Sequence, residues 1–366
     1  MDFLVKTGGL PSPQHLEDIK TISRHDNSQT PFFHPFAALL VLFLLGACIY
    51  PAFLVGKFVA DSLSLVWTVN NNVSTNLYFF LLPIPVALMV YGIVQMAVFV
   101  LMKYLLIGRY KPGTCPVNSW SYVRWWMVEL HRRFVFNVLL TPLAGTAVLV
   151  WYLRLLGMKI GSETIVNTTN VGEFDLVEVG EKATVTINVR LRAYLLLDGQ
   201  LRFGQVQVGD NTYLGPGSFC PADSVVKPYA HLPPLGVAPM DVMDNSSAYP
   251  LPGARGRIFV LVFTCCQLLL IVAAVVVACV ASFPSYWIAL QLWKASFPRF
   301  LLVVPLPMLL VLCGFCHLIL VAVLRRLTFP WMKAGIHDLY GWCHMRIFFL
   351  DVLLRMVVTK ATLRIL

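Results

Sequence analysis

Residues 208–231 read VGDNTY, LGPGSF, CPADSV and VKPYAH, which are four consecutive groups of six residues. An aliphatic residue or a cysteine opens each group, and glycine or proline follows it in the first three. The same step of six links Val179, Val185 and Leu191 earlier in the chain. This period is typical of a triangular β-helix, in which aliphatic side chains stack inward and Gly, Asn and Asp take the corners. An ordinary antiparallel β-domain is the alternative, and its period would be two.

The period also predicts which side chains are buried and where the chain leaves the repeat. Val208, Leu214, Val226 and Leu232 each open a group of six, so we expect their side chains to point inward. Residues 192–205 break the period, so we expect this segment to loop out of the repeat.

The composition points to lipid as the solvent for much of the chain. Hydrophobic residues make up 58% of the sequence and charged residues 13%, and the mean hydropathy is +0.73, whereas a soluble domain carries about 25% charged residues. Apolar runs at 36–60, 77–107, 258–283 and 299–324 are each long enough to cross a bilayer core. A fifth run, 134–156, is interrupted by Thr, Pro and Gly, and it is either an interfacial or re-entrant helix or a full span.

The net charge of +10 does not by itself indicate nucleic acid. The basic residues stand mostly beside apolar segments, as Arg109, Lys111 and Arg325 do, and membrane-flanking charge explains that placement. Cys313 and Cys316 have CxxC spacing but lie in an apolar run without a second pair, so we expect neither a metal site nor a redox site there.

The placement of Lys and Arg predicts an orientation. Residues 61–76 contain no Lys or Arg, whereas the segment after the second span contains several. The positive-inside bias then places the N-terminus and the central domain on the cytosolic side of a multi-pass integral membrane protein. The glycosylation sequon at Asn72 falls in the predicted outer loop.

A second, longer period divides the chain. Trp120 and Trp342 are separated by the same 222 positions as Arg133 and Arg355, and the flanking helix pairs also correspond. The second copy ends at Leu366, where its own β-helix would begin, so the chain is either one and a half units or part of a longer product. The predicted segments are a polar tail at 1–35, a transmembrane helix pair at 36–107, a basic-aromatic segment with an apolar helix at 108–156, a hexapeptide-repeat β-helix at 157–240, a linker at 241–257, a second helix pair at 258–324 and a second basic-aromatic segment at 325–366.

Four motifs carry a family resemblance: GRYKPG at 108–113, WSYVRWW at 120–126, LRLLGMKIG at 153–161 and EFDLVEVG at 173–180. With the order of elements, they resemble the membrane-embedded C-terminal region of ε-poly-lysine synthetase-like nonribosomal peptide synthetases. The resemblance covers residues 36–240, and residues 250–366 as the repeat.

This resemblance implies a fold and an activity. The implied fold is a multi-span α-helical membrane protein that carries a left-handed parallel β-helix. In that family, helix pairs separate soluble domains, and an adenylation and a carrier domain lie upstream. The implied activity is transfer of an acyl or aminoacyl group from a phosphopantetheine thioester, held by a carrier domain or coenzyme A, to form an amide bond. No tightly bound cofactor and no metal are expected.

One loop departs from the family pattern. The family reads LQTHLFEDR where residues 191–199 read LRAYLLLDG, so Tyr194 takes the histidine position, Leu197 the glutamate position, and Asp198 is kept. Amide formation needs a base for the attacking amine, and tyrosine, with an ordinary pKa of about 10, is a poor substitute for histidine. We therefore expect weak or no transferase activity.

The candidate catalytic residues are Asp198, Tyr194, Asp175 and Glu173. His231 is interpreted as structural or solvent-facing, and Asp210 and Asp223 as turn residues. The tryptophans of residues 120–126, with Arg124, are either an aromatic belt with a snorkelling arginine or a substrate gate.

Two functions fit this pattern. The first is a membrane-bound acyl or aminoacyl transferase related to peptide-polymerising synthetases. The second is a non-catalytic membrane scaffold that docks a carrier domain or a partner. A transporter is disfavoured because the apolar runs carry almost no charge. The expected partners are the lipid bilayer, a carrier or adenylation protein in trans, and a second copy through the β-helix, but not nucleic acid.

Overall fold

The structure is a computed structural model that describes residues 33–63, 77–78, 80–238, 243–244, 257–294, 304–328 and 341–357. Residues 1–32 of the predicted polar tail, the sequon at Asn72 and most of the loop between the first two spans lie outside these residues.

Four helical stretches of the described chain are long and apolar enough to cross a membrane. They are Phe33–Ser62, Pro83–Leu106, Ile258–Lys294 and Leu306–Leu327. The α-helices of the described residues are α1 (Phe33–Ala47), α2 (Ile49–Ser62), α3 (Pro83–Leu106), α4 (Trp120–Phe134), α5 (Ala147–Leu155), α6 (Arg257–Lys294), α7 (Leu306–Thr328) and α8 (Trp342–Val357). The four spans agree with the four long apolar runs and are consistent with an integral membrane protein, whereas the orientation stays a prediction.

The fifth apolar run forms short helical pieces. It consists of a π-helical turn at Val135–Leu139, a 3-10 turn at Thr141–Leu143 and α5. At 1.5 Å per residue, α5 is only about 13 Å long, less than half of a bilayer core. The hydroxyl of Tyr152 donates to the carbonyl of Met96 on α3, at 3.0 Å. The run is therefore not a full span.

Helix α4 joins the membrane helices to the strands. The Ser119 hydroxyl caps it by accepting from the amide of Tyr122, at 3.2 Å. One face packs Val123 and Met127 against α1. The ring of His131, which is fully buried, meets the side chain of Gln95 on α3, at 2.9 Å. The apolar face of α4 therefore rests on the first span, and other positions of the helix reach the strands.

The strands between α3 and α6 are short. They are β1 (Gly113–Pro116), β2 (Lys159–Ile160), β3 (Ile165–Val166), β4 (Val177–Val179), β5 (Thr184–Val185), β6 (Arg190–Leu191), β7 (Tyr194–Leu197), β8 (Gln200–Phe203), β9 (Val206–Val208), β10 (Tyr213–Leu214), β11 (Phe219–Cys220), β12 (Ser224–Val226), β13 (Ala230–Leu232) and β14 (Met243–Asp244). Parallel pairing gives the sheets β12-β9-β4-β2, β13-β10-β5-β3 and β11-β6. Strands β1, β8 and β7 form an antiparallel sheet.

The predicted left-handed parallel β-helix is wrong. The described strands form separate parallel sheets in an α/β arrangement, and they do not close into a solenoid. Some strands pair antiparallel: β14 pairs with β13, β7 with β8, and β8 with β1. The hydrophobic period reports which side chains are buried, whereas strand pairing depends on contacts that the period does not encode.

The burial and loop predictions are confirmed. Val208, Leu214, Val226 and Leu232 are all buried. Residues 192–205 leave the repeat as the β7–β8 hairpin.

Among the glycines of the repeat, Gly217 has the predicted positive φ, but others have a different role. Asn188, Asn211 and Asp223 do have positive φ, as expected for turns. Gly209, in contrast, is required by a close backbone approach, because a Cβ there would lie 2.4 Å from the amide nitrogen of Pro228. Gly161 similarly faces the amide of Glu181, at 2.4 Å from an added Cβ.

The helix α8 of the second copy begins at the same position of the repeat as α4 of the first copy. Helix α8 begins at Trp342, the residue that corresponds to Trp120 at the start of α4. Its Asp351 and Arg355 form an ion pair of 2.6 Å. The rings of Phe80 and Phe283 lie 5.4 Å apart and join the two helix pairs.

Candidate functional site

Charged and aromatic side chains meet where α4 faces the segment before β4 and the start of β7. We call this group the junction cluster, and it consists of Trp125, Glu129, Arg132, Glu173, Arg192 and Tyr194. Three of these residues come from α4 and the others from two separate segments of the strand region, so the cluster exists only in the folded chain.

Glu129 is a buried, ionised carboxylate. The Nη2 of Arg132 donates to its Oε1, at 2.7 Å, and the Nε of Arg133 donates to the same oxygen, at 3.0 Å. Arg192 adds a charge at 3.6 Å. Burial opposes ionisation, but the hydrogen bonds and charge of Arg132, supported by Arg192 and Arg133, lower the pKa of Glu129 to about 2. Glu129 is therefore the fixed counter-ion of the arginines.

Glu173 has the opposite ionisation behaviour. Its side chain is 2% exposed, and the Nε1 of Trp125 donates to its Oε1, at 3.0 Å. Its Oε2 has no hydrogen-bond partner among the described residues. Burial, with the charge of Glu129, raises the pKa of Glu173 to about 7, against the hydrogen bond from Trp125. A carboxyl with this pKa is present in both protonation states near neutral pH, as acid–base catalysis requires.

Arg192 and Tyr194 form the outer side of the cluster. The Arg192 side chain is 22% exposed, and its Nη1 makes no hydrogen bond within the described residues. The Tyr194 ring lies 5.0 Å from that of Trp125, edge to face. Burial raises the pKa of Tyr194 above its ordinary value, so its hydroxyl is protonated near neutral pH and can donate a hydrogen bond but is not a base.

Asp175 lies two residues from Glu173 but belongs to a different set of contacts. The Nζ of Lys103, in the last turn of α3, is 2.7 Å from its Oδ2, and the amide of Tyr110 donates to that oxygen, at 3.0 Å. Gly157 leaves room for the carboxylate, since a Cβ there would lie 2.2 Å from Oδ1. Asp175 therefore ties the segment before β4 to the first membrane helix pair.

The remaining sequence candidates lie elsewhere. Asp198 is exposed in the hairpin turn, where it and Gly199 both have positive φ. The ring of His231 stacks on Tyr213, at 5.0 Å, on another sheet. Of the four predicted catalytic residues, the structure brings together Glu173 and Tyr194, through Trp125, and does not add Asp175 or Asp198.

Comparison with known proteins gives one relationship. The chain is similar to a delta-poly-L-ornithine synthetase of Acinetobacter baumannii (strain AB307-0294), with 29% identity over 177 residues. That relative is a poly-amino-acid synthetase. The alignment covers 47% of this chain but only 13% of the synthetase. No family model matches the chain, and no solved structure matches it.

The likeness supports a relationship to poly-amino-acid synthetases in general. It does not confirm the specific resemblance to ε-poly-lysine synthetase-like proteins. It covers a small part of that synthetase, so the activity of the whole synthetase is not transferred to this chain.

Sequence reasoning missed most of the junction cluster. Trp125 was grouped with its neighbours as either an aromatic belt or a substrate gate. It is buried and donates a hydrogen bond to Glu173, whereas Trp120 is exposed and contacts Phe33, at 4.5 Å between ring centroids. The spacing of Glu129 and Arg132 on one helix was the signal that could have been used.

Two other features do not contribute to the site. No group of three or more His, Cys, Asp or Glu suited to a metal ion occurs in the part of the chain that the structure describes. An open cleft of about 490 Å³ beside Lys159, Glu178 and Asp210 includes no residue of the junction cluster.

Proposed function

We propose that this chain is a membrane-bound aminoacyl-transferring segment related to peptide-polymerising synthetases, with Glu173 as the proton acceptor. One observation carries the proposal: a buried carboxyl with a pKa of about 7 keeps one oxygen without a hydrogen-bond partner among the described residues, in a cluster where Arg192 is ion-paired with Glu129 at 3.6 Å but donates no hydrogen bond from its Nη1. The likeness to a poly-amino-acid synthetase supports the class of reaction.

The proposed step forms an amide from a thioester of phosphopantetheine, held on a carrier domain or on coenzyme A. The amine nitrogen attacks the thioester carbonyl, and Glu173 accepts a proton from that nitrogen. The Nη1 of Arg192 donates to the oxyanion of the tetrahedral intermediate. When the carbon–sulfur bond breaks, the proton on Glu173 passes to the leaving thiolate.

Access is proposed from the side of Arg192 and Tyr194, since these two side chains are only partly buried. Tyr194 takes the position at which the resemblance places histidine, and it supplies a hydroxyl donor there. This arrangement gives the chain a base without the loop histidine, but a deeply buried one, so we expect slow turnover.

The test uses the full chain in lipid vesicles with ornithyl- or lysyl-coenzyme A and the free amino acid as acceptor. Glu173→Gln keeps the volume and the bond to Trp125 but removes the base, so we expect the rate of amide formation to fall by about 10²- to 10⁴-fold. Asp198→Asn, in the exposed turn, is the matched control and should leave the rate unchanged. Equal rates for wild type and Glu173→Gln would refute the role of Glu173.

The non-catalytic scaffold is the second candidate. It is favoured by Tyr194, whose raised pKa prevents it from acting as the family's loop histidine would. A scaffold would show no amide formation with either thioester, yet would bind an aminoacylated carrier domain and lose that binding when residues 192–205 are deleted. With Tyr194→Phe, the transferase with Glu173 as the base should keep its turnover, whereas a scaffold shows none in either protein.

A further inference from the structure

The tip of the β7–β8 hairpin exposes three consecutive leucines. Leu195, Leu196 and Leu197 are 46%, 54% and 53% exposed, respectively, and we call them the leucine tip. Successive strand residues point to opposite faces, so the tip is apolar on both faces of an edge strand. A single exposed leucine is ordinary, but a contiguous apolar projection indicates an interaction surface.

The hairpin is attached to the part of the chain where the membrane spans begin and end. The amide of Val117 donates to the carbonyl of Gly199 in the hairpin turn, at 3.0 Å. Three residues later, Trp120 is 51% exposed, and its ring lies 4.5 Å from that of Phe33, the first residue of the first candidate span. Exposed aromatic side chains at the end of a span are typical of the membrane–water interface.

The second span ends on this same side. Helix α3 ends at Leu106, and β1, which pairs with β8 of the hairpin, begins at Gly113. The hairpin is thus held, at its strands and at its turn, by the segment that leaves the membrane.

The charge around the hairpin suits anionic headgroups. Arg109, Lys111 and Arg124 are exposed on the segment between α3 and the first turns of α4. Arg202 lies opposite Leu195 and is paired with Asp223, at 2.8 Å. The acidic residue of the turn itself is Asp198. Basic side chains therefore outnumber acidic ones across the hairpin and the segment that joins α3 to α4, and such a segment is attracted to anionic lipid.

We propose that the leucine tip inserts into the headgroup–acyl boundary of a bilayer that contains anionic lipid, on the side where the first span begins and the second ends. The hairpin is then a membrane contact in addition to the spans. It holds Tyr194, at its base, and the junction cluster at a fixed distance from the membrane surface. The proposal does not depend on the activity of the chain.

The test places a photo-crosslinker at the tip of the full chain. Leu196→p-benzoylphenylalanine is compared with Val225→p-benzoylphenylalanine, a control at an apolar position of β12 that is 56% exposed. Each variant is irradiated in vesicles of phosphatidylcholine with phosphatidylglycerol, and in phosphatidylcholine alone. Lipid adducts are measured by mass spectrometry.

We expect lipid adducts at position 196 to exceed those at 225 by roughly tenfold, because a side chain at the headgroup–acyl boundary contacts lipid continuously. The yield should fall when phosphatidylglycerol is omitted. Equal lipid yields at the two positions, or an adduct at 196 to a second copy of the chain in place of lipid, would overturn insertion. A yield that is independent of phosphatidylglycerol would overturn the requirement for anionic lipid.

Discussion

The neighbours of two carboxyl groups in the junction cluster shift their pKa values in opposite directions. Glu129 receives hydrogen bonds from two arginines and has a pKa of about 2, whereas Glu173 receives one from Trp125 and has a pKa of about 7. Two carboxyl groups with such different pKa values are typical of active sites that use acid–base catalysis. The arginines stabilise Glu129, and the resulting negative charge helps to keep Glu173 protonated.

The pKa of Glu173 makes the rate dependent on pH. The base must be ionised, so amide formation should increase with pH through a midpoint near 7. Trp125→Phe removes the hydrogen bond that favours the ionised form, so the midpoint should move to higher pH. The measurement is the pH profile of kcat/KM for both proteins in vesicles. An unchanged midpoint would show that another group controls the profile.

Loss of Glu129 should destabilise the fold. Glu129→Gln leaves Arg132 buried without its counter-ion, and breaking a buried pair costs about 3–5 kcal/mol. Glu178→Gln breaks the exposed pair with Lys159, of 3.4 Å, and should cost less than about 1 kcal/mol. Thermal unfolding in detergent compares the two variants.

The same pair gives a pH dependence of stability. The folded pKa of Glu129 lies below its ordinary value, so its contribution is present above that ordinary value and is lost as the pH falls toward about 2. Glu129→Gln should remove this acid-dependent part. If Glu129→Gln and Glu178→Gln lowered the free energy of unfolding equally, the buried ion pair of Glu129 would not contribute as predicted.

At the level of elements, the contact between Lys103 and Asp175 joins α3 to the segment that carries Glu173. Lys103 is fully buried and has its ammonium group 2.7 Å from Asp175. Phe174, between the two acidic residues, stacks on Phe136, at 5.4 Å. A change in α3 should therefore reach Glu173 through Asp175 and Phe174, its neighbours in the chain.

A double-mutant cycle measures this connection. Lys103→Met leaves Asp175 without its ammonium partner, and Asp175→Asn leaves the ammonium without a carboxylate, so each should destabilise by a few kcal/mol. The double variant removes both charges and should cost less than the sum of the two, with a coupling of about 0.5–3 kcal/mol. The coupling energy is obtained from the thermal unfolding of the wild type, the two single variants and the double variant. Additive losses would mean that the two groups do not interact.

At the scale of the whole molecule, the hairpin and the junction cluster lie beside the start of α1 and the end of α3, and four helices of the described residues could span a membrane. An even number of crossings before Lys111 returns the chain to its starting side. The positive-inside bias predicts the orientation of the protein.

Labelling in sealed vesicles tests this topology. Ser62→Cys, at the end of the first span, and Glu181→Cys, at an exposed position among the strands, should react with an impermeant maleimide from opposite sides. The wild type is the control, because its native thiols set the background. Reaction of both cysteines from one side would exclude two crossings between the N-terminus and the hairpin.

The sequence by itself determined the four spans, the period of 222 residues and the burial of the residues that open each group of six. These properties depend on local composition and spacing, because transfer of apolar surface out of water is additive along the chain. Glu173 and Tyr194 were also found from the sequence, as part of quoted motifs.

Only the tertiary structure decided how the strands pair and which carboxyl could act as a base. The six-residue period predicted burial correctly but predicted a β-helix that the sheets do not form. Trp125 and Glu173 are 48 positions apart, and Asp175 is bound by a lysine from a membrane helix. Strand pairing and pKa values depend on contacts between segments that are distant in sequence, and burial strengthens every charge interaction among them.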